Sequence, residues 1–251
     1  MFKEHPSFET PENISSKVWR YMDFTKFVSL LEKQSLYFAR ADKFSDPFEG
    51  SFSKFNVQNR PNVYGVSEEN MKYYSYCGKK MRQYIFLNCW HLNEHESAAM
   101  WNIYLRNNMG IAIQSSFESL RKSFDKCIER MIFIGKVKYI DYDKDWLPEG
   151  NIFFPFLHKR ISFDHEQEIR AIIIDLPSGE KDDKGRTKID VNINNPTNGL
   201  YIPIDVGILI EKIYIAPTSP EWFSELVKSI NKKYSLDKEV KKSSLSDDPV
   251  F

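Results

Sequence analysis

Cysteine, an excess of either charge, and long apolar runs are what this sequence lacks most. The 251 residues include three cysteines without CxxC spacing, which indicates neither a disulfide framework nor a cysteine-based zinc site. Lys+Arg and Asp+Glu both number 35, which argues against a non-specific polyanion binder. No apolar run approaches the roughly 20 residues that span a bilayer, and no signal-peptide pattern is visible. We therefore predict a cytoplasmic protein with reduced thiols and no membrane partner.

Several familiar catalytic signatures are also absent. The sequence contains no P-loop, GxGxxG, GxSxG, HExxH or EF-hand loop, and its five histidines are scattered, so we assign no metal. Aromatic residues, in contrast, make up 15% of the chain and hydrophobic residues 41%. That composition supplies a full core, and aromatic rings serve both core packing and stacking surfaces.

Strand-like and helix-like segments alternate irregularly along the chain. Residues 1–16 are polar and contain two prolines, so we predict a flexible arm. Residues 17–251 predict a single α+β domain with a mixed central sheet flanked by helices. Residues 51–84 indicate one or two short helices, and residues 177–200, rich in Gly, Asn, Asp and Lys, a long loop or an exposed hairpin.

Hydrophobic periodicity and capping residues give the individual elements. Strands are predicted at 18–24, 35–41, 84–92, 111–114, 137–142, 168–175 and 209–216, with an edge strand at 239–243. Helices are predicted from an N-cap at Thr25, from residue 96 to an ending at Gly110, and at 117–128, 152–160 and 221–234.

Two polar clusters precede residue 51. Arg20 and Tyr21 lie inside the first predicted strand, where a guanidinium fork suits phosphate or carboxylate recognition, or a structural salt bridge. Asp46 and Glu49 belong to the loop FSDPFEG, whose Asp-Pro and Gly are typical of a turn. Their carboxylates are suited to a metal, to a hydroxyl, to pairing with an arginine such as Arg40, or simply to a solvated turn.

A third cluster is aromatic. Trp90 and His91 end a predicted strand, and Trp101 and Tyr104 lie on the helix that follows. Together these rings are suited to form the wall of a pocket for a flat ring, with core packing as the alternative. Leu105 is expected in the core.

A fourth cluster combines acids with an arginine. The two-residue period of a strand would bring Glu166, Glu168 and Arg170 to one face if the strand began that early. Paired carboxylates there are suited to stabilise a developing cation or to hold a ribose hydroxyl. The alternative is a Glu–Arg bridge on a half-exposed face.

The clusters occur in an order that we recognise. The segments are WRYMDF, SLYFARADKFSDPFEG, NCWHLNEHESAAMWNIYLRNNMGIAIQ, HEQEIRAI and IPIDVGILIEKIYIAP. In this order they resemble the bacterial family called domain of unknown function 2971, over roughly residues 17–245. The most specific pieces are SDPFEG, the CWH…MWNIY…GIAI block and the acid-Arg strand. This resemblance does not imply a particular reaction.

More distantly, the chain is similar to ADP-ribosyltransferases of toxin and phage-defence systems. Those folds open with a strand that bears an NAD-contacting polar residue, and they place a catalytic Glu at the start of a late strand. The resemblance implies that Arg20 contacts NAD and that Glu168 is catalytic, with Glu166 as the second acid. NAD would be a substrate, and no resident cofactor is assigned. The family's Ser-Thr-Ser motif is not visible; Ser115 and Ser116 stand nearest to it.

Two other functions stay open at this stage. A non-catalytic module that binds a nucleotide or a protein would need Arg20 and the aromatic residues but not the acids. A metal-dependent phosphodiesterase would use Asp46, Glu49 and Glu168. The sequence does not distinguish a nucleic-acid acceptor from a protein acceptor.

Overall fold

The computed structural model describes residues 1–65, 67–104, 109–177, 190 and 192–250, without the side chain of Glu68. Leu105 and most of the predicted 177–200 loop therefore lie outside the described residues. The described strands are β1 Lys17–Asp23, β2 Ser35–Arg40, β3 Ile85–Leu92, β4 Gly110–Ser116, β5 Phe133–Lys136, β6 Lys138–Ile140, β7 His158–Arg160, β8 Glu168–Ile174, β9 Gly199–Pro203, β10 Lys212–Ile215 and β11 Glu239–Lys242. The described helices are α1 Phe24–Lys33, α2 Lys54–Tyr64, α3 Glu68–Met81, α4 Ala98–Tyr104, α5 Phe117–Ser123, α6 Val206–Leu209 and α7 Glu221–Lys233.

The described strands form a large mixed sheet, which confirms the α+β prediction. Its order is β11-β10-β4-β1-β3-β2-β9, and β8 joins β3 to β5. The pair β10–β11 is parallel, whereas the other pairs of this sheet are antiparallel. Strands β6 and β7 form a separate short pair.

The sheet splits along one edge of β3. Strand β1 pairs with β3 only through Val18 and Trp19, near one end. Strand β2 pairs with the same edge only through Ala39 and Arg40, near the other end. On its opposite edge β3 pairs with β8 over its whole length. The edge of residues 88–90 therefore has no strand partner among the described strands, and β1 and β2 diverge from it.

Helix α1 joins the two diverging strands. Asp23 accepts a hydrogen bond from the Lys26 amide at 2.8 Å and is the N-cap. The N-cap prediction for Thr25 is wrong by two residues, because the Thr25 hydroxyl itself donates to Asp23. The helix buries one face against the main core, at the spacing of an amphipathic helix, through Phe27, Leu30 and Leu31.

Other local predictions are corrected by pairing between distant segments. Gly110 starts β4 opposite Asp23 instead of ending a helix. The predicted helix at 152–160 is a 3₁₀ turn, Phe154–Phe156, followed by β7, since Pro155 has no amide hydrogen for a continuing helix. The predicted strand at 209–216 begins only at Lys212, after the short helix α6.

The N-terminal arm packs against the sheet, contrary to the expectation of a loose segment. Phe2 bridges to Ile132 through the backbone. Phe8 is buried, and its ring meets Phe133 and Phe153 at centroid distances of 5.5 and 5.1 Å. Because the arm is polar overall, its composition did not predict that Phe2 and Phe8 pack against the sheet. Among the described helices, none is long and apolar enough to cross a bilayer.

The loop between β2 and α2 depends on a glycine. Gly50 has a φ of +69°, in the left-handed region that favours glycine. A Cβ at this position would lie 2.2 Å from the ring of Phe156. Gly65 has a similar φ of +62°, but a Cβ there would meet nothing within 4 Å. Comparing substitutions at the two glycines therefore separates the cost of backbone strain from the cost of steric overlap with Phe156.

Replacing Gly50 with alanine is expected to lower the free energy of unfolding by about 3 kcal/mol. The left-handed conformation of a non-glycine residue costs about 1–2 kcal/mol, and overpacking adds about 1–3 kcal/mol. Gly65→Ala should cost only about 1 kcal/mol. Chemical denaturation of both variants measures the difference, and equal losses would contradict the role given to Phe156.

Candidate active site

A cavity of about 400 Å³ opens where β1 and β2 diverge from β3. That volume lies within the range of small-molecule sites. Both residues that the ADP-ribosyltransferase resemblance emphasises, Arg20 and Glu168, contribute to its lining. The other predicted site residues that line it are Tyr21, Trp90, His91 and Tyr104. One cleft therefore contains six of the predicted residues.

Arg20 provides an unpaired positive charge in the cleft, whereas Lys26, which also lines it, pairs with Asp23 at 3.1 Å. Arg20 Nη1 donates to the Cys89 carbonyl at 2.8 Å, on the unpaired edge of β3, and its guanidinium lies 5.8 Å from the Trp90 ring centroid. Among the described residues it has no carboxylate partner. Burial lowers the pKa of Arg20, although a guanidinium stays charged at neutral pH. A partly desolvated, unpaired cation favours an anionic ligand such as a phosphate.

The opposite wall is built by alternation along two paired strands. In β3, Cys89 and His91 point to the cleft face, and their cross-strand partners in β8 are Arg170 and Glu168. Glu168 is the first residue of β8, so its carboxylate lies at the strand end, where the cleft opens. The sheet register thus sets the position of the acid.

Glu168 is held through one of its two oxygens. Its Oε2 accepts from Arg170 Nε at 2.8 Å and lies 2.6 Å from Arg170 Nη2, with Lys159 Nζ at 3.8 Å. The side chain of Cys89, which also lines the cleft, hydrogen-bonds the same carboxylate. Burial raises the pKa of Glu168, but Arg170 and Lys159 outweigh it, and the net pKa is lowered. The carboxylate is therefore ionised at neutral pH, and its stabilising contribution is lost only as pH falls through this lowered pKa.

Arg170 supports Glu168 from behind instead of contacting a ligand. It is fully buried, and Glu49 binds it in bidentate fashion at 2.6 and 2.9 Å. The Phe156 carbonyl accepts a further bond at 2.7 Å. Four of its five guanidinium N–H groups therefore donate hydrogen bonds, and Nη2 also forms an ion pair with Glu168 at 2.6 Å. The predicted ligand-binding roles of Arg170 and Glu49 are therefore corrected to a supporting role.

Glu166 does not continue the strand face. Gln167 has a φ of +41°, and Glu166 ends the preceding 3₁₀ turn, Ile161–Glu166. The prediction that residues 166, 168 and 170 share a strand face is therefore wrong. Glu166 instead forms a close ion pair with Lys159, the lysine beside Glu168. Burial, followed by the charge of Glu168, raises the pKa of Glu166.

Two other predicted residues lie outside the lining. Asp46 accepts from the Phe48 amide at 3.0 Å and pairs with Arg160 at 2.8 Å, which gives the FSDPFEG loop its turn. The prediction that a loop acid binds a backbone amide or an arginine is therefore confirmed, with Arg160 as the arginine. The example given, Arg40, is wrong, because Arg40 pairs with Asp42 at 2.6 Å.

The carboxylates proposed for a metal site are separated by their own partners. Asp46 pairs with Arg160, whereas Glu49 and Glu168 share Arg170. Within the described residues, no group of three or more His, Cys, Asp or Glu side chains is arranged to hold a metal ion. The phosphodiesterase hypothesis therefore has no support in the geometry.

The aromatic cluster divides between core and cleft. Trp101 is buried, donates to Glu96 at 2.9 Å and does not line the cavity, so its predicted ligand role is corrected. Trp90 is buried beneath Arg20 and donates to Asn88 at 2.7 Å. Tyr104 lines the cleft with 42% of its surface exposed, and a ring there is free to stack.

His91 and Tyr21 form the inner wall of the cleft. Burial lowers the pKa of His91, and its Nδ1 donates to the Glu166 carbonyl at 2.7 Å. The neutral ring therefore leaves Nε2 as an acceptor, 3.3 Å from the Asn93 amide nitrogen. The Tyr21 hydroxyl accepts from the Ser97 amide at 2.7 Å. Neither side chain adds charge to the cleft.

Three lining or supporting residues were missed from the sequence. Tyr37 and Tyr201, from the paired strands β2 and β9, both line the cleft, and their rings are 5.1 Å apart. The available signal was the alternation along β2, in which Tyr37 stands between Leu36 and Phe38. In the structure Tyr37 is exposed and both neighbours are buried. Lys159 carried no such signal, because its partners are acids further along the chain.

Comparison with known proteins adds little to this geometry. No family model matches the sequence, and no curated protein matches it. DarT of Thermus sp. 2.9 in complex with NAD+ covers 94% of this chain and 98% of its own, with 8% identity and a TM-score of 0.41. The same protein in complex with ADP-ribosylated ssDNA covers 94% and 95%, with 9% identity and a TM-score of 0.40. At these TM-scores the similarity carries no argument about the cleft.

Glu49→Gln should lower the free energy of unfolding by about 3 kcal/mol, because it leaves the buried Arg170 charge with one carboxylate fewer. Asp143→Asn is the matched control, since Asp143 forms an exposed ion pair with Lys54 and should cost no more than about 0.5 kcal/mol. Chemical denaturation at neutral pH measures both. A Glu49→Gln variant as stable as the control would show that Arg170 does not need its second carboxylate.

Proposed function

We propose that this cleft binds NAD and cleaves its N-glycosidic bond, as an ADP-ribosyltransferase-like enzyme does. The observation that supports it is the state of Glu168. This carboxylate is ionised, is held through one oxygen by Arg170, and lines the cavity that Arg20 also lines. A purely structural ion pair would not need a carboxylate in the lining of a cleft.

The chemical step fits this arrangement. When the bond between ribose C1′ and the nicotinamide nitrogen breaks, the bonding electrons leave with nicotinamide, and the ribose develops oxocarbenium character. A fixed carboxylate stabilises that positive charge and accepts a hydrogen bond from a ribose hydroxyl. An acceptor oxygen or nitrogen, or water, then forms the new bond to C1′ and releases its proton. In this proposal Glu168 performs the first of these tasks.

The remaining lining residues would bind the other parts of NAD. Arg20 carries the unpaired charge that a pyrophosphate requires. Tyr104, Tyr37 and Tyr201 have exposed rings suited to stack nicotinamide or adenine. Neutral His91 leaves the charge balance between Arg20 and Glu168 unchanged.

The resemblances found in the sequence support the same proposal. An ADP-ribosyltransferase-like fold would open with a strand bearing Arg20, continue into a helix, and place its catalytic acid at the start of a late strand. Here β1 leads into α1, and Glu168 begins β8. We therefore propose membership of the domain of unknown function 2971 family, and a cytoplasmic role in bacterial defence or as a toxin.

Glu168→Gln and Arg20→Ala should separate chemistry from binding. Glu168→Gln keeps the shape but removes the charge, so nicotinamide release from NAD should fall at least about 100-fold while the Kd for NAD changes little. Arg20→Ala should raise the Kd first, because its phosphate contact precedes the reaction. The assays are nicotinamide release, with and without cell extract as a source of acceptor, and calorimetric binding.

Controls distinguish these effects from misfolding. Arg121→Ala on α5, outside the cleft lining, should leave both measurements unchanged, and circular dichroism should show every variant folded. Wild-type protein that binds NAD without consuming it would favour a non-catalytic binding module. Protein that neither binds nor consumes NAD would eliminate the proposal.

A further inference from the structure

A second cavity, of about 700 Å³, lies away from the NAD cleft. It is enclosed by α2, α3 and the segment 149–156, and it shares no lining residue with the first cavity. Aromatic and apolar side chains form most of its wall: Phe52, Tyr64, Tyr74, Met81, Ile152 and Phe156. None of the functions considered so far uses this space.

The cavity contains one pre-organised polar anchor. Arg60 Nε donates to Glu149 at 2.6 Å, and the two side chains are only 7% and 13% exposed. Asn56 donates to the same Glu149 oxygen at 2.7 Å, which fixes the carboxylate. The Arg60 guanidinium lies 4.3 Å from the centroid of the Phe52 ring. Its terminal N–H groups have no hydrogen-bond partner among the described residues and remain available as donors.

The charge of this anchor is already balanced. Arg60 and Glu149 are the two charged residues in the described lining, and they neutralise each other. An ionic ligand would therefore enter a largely apolar space without a counter-charge, which is costly. A neutral ligand with a hydrogen-bond acceptor would instead satisfy the free N–H groups of Arg60 and lie against aromatic rings.

A glycine keeps one wall of the cavity open. Gly78 lies inside α3, where glycine costs about 1 kcal/mol relative to alanine. A Cβ at this position would have its nearest contact at 4.0 Å, with Phe52, so packing does not require glycine here. A larger side chain at this lining position would occupy space that is now free.

We propose that this cavity binds a neutral, planar heteroaromatic ring of the nucleobase class, stacked on its tyrosines and hydrogen-bonded to Arg60. Either a free nucleoside or an unstacked base of a single-stranded nucleic acid supplies this chemistry. The site also has a structural link to the cleft. Gly50 and Phe156 line it, while Glu49 and the Phe156 carbonyl hold Arg170.

Calorimetry and saturation-transfer NMR on the full chain test the proposal with adenosine, guanosine, cytidine and uridine, and with a 12-nucleotide single strand of mixed sequence. At least one nucleoside should bind, and AMP should bind no more tightly than adenosine. Binding of the oligonucleotide but of no nucleoside would identify nucleic acid as the source of the ring. Absence of binding by every probe overturns the proposal.

Two pairs of variants place the binding in this cavity. Tyr74→Ala removes an exposed lining ring and should weaken binding about tenfold. Tyr73→Ala, also exposed on α3 but outside the lining, should not. Gly78→Leu should fill the space and abolish binding, whereas Ser75→Leu adds the same side chain outside it. Equal effects within either pair overturn the assignment.

These outcomes are independent of the proposed reaction. A nucleoside that bound in the NAD cleft would lose affinity with Tyr104→Ala, which removes an exposed ring of that lining, and be insensitive to Gly78→Leu. The second site predicts the reverse pattern. Failure of NAD turnover, with nucleoside binding that responds to Gly78→Leu, would remove the enzyme proposal and keep this one.

Discussion

The buried charge of Arg170 is the constraint on which the rest of the site depends. A guanidinium without exposed surface is strongly destabilising unless its donors are satisfied and its charge is paired. Here Glu49, Glu168 and the Phe156 carbonyl accept four N–H hydrogen bonds, and the two carboxylates pair with the charge. Those three partners come from the loop after β2, the start of β8 and a 3₁₀ turn. One side chain therefore fixes three distant segments and holds Glu168 in place.

The split sheet supplies the space that this fixed acid faces. Because β1 and β2 leave the same edge of β3 in different directions, the Cys89 carbonyl accepts from Arg20 instead of from a strand amide. The cleft thus has a cation without a carboxylate partner on one wall and an ionised carboxylate on the other. Lys159 and Arg170 keep that carboxylate ionised despite its burial. Such pre-organised charge suits a reaction that develops positive charge on a sugar carbon.

Local signals in the sequence predicted most strands and the α+β class, because β-branched and aromatic runs such as EIRAIII depend little on distant contacts. They also indicated Arg20 and Glu168, which the structure brings to one cavity. These local signals did not predict which charged residues pair when the two lie far apart in the sequence. Nothing local shows that Asp46 pairs with Arg160, or that Glu49 pairs with Arg170. A single left-handed residue, Gln167, also removed Glu166 from the strand face.

The most direct test of the central claim is a crystal structure of the Glu168→Gln variant with NAD. Without the charge, the substrate should remain intact in the cleft. We expect the nicotinamide ribose within hydrogen-bond distance of residue 168, with the pyrophosphate at Arg20. NAD bound elsewhere on the protein, or bound in the cleft with its ribose turned away from residue 168, would contradict the assignment of Glu168 as the group that stabilises the developing charge.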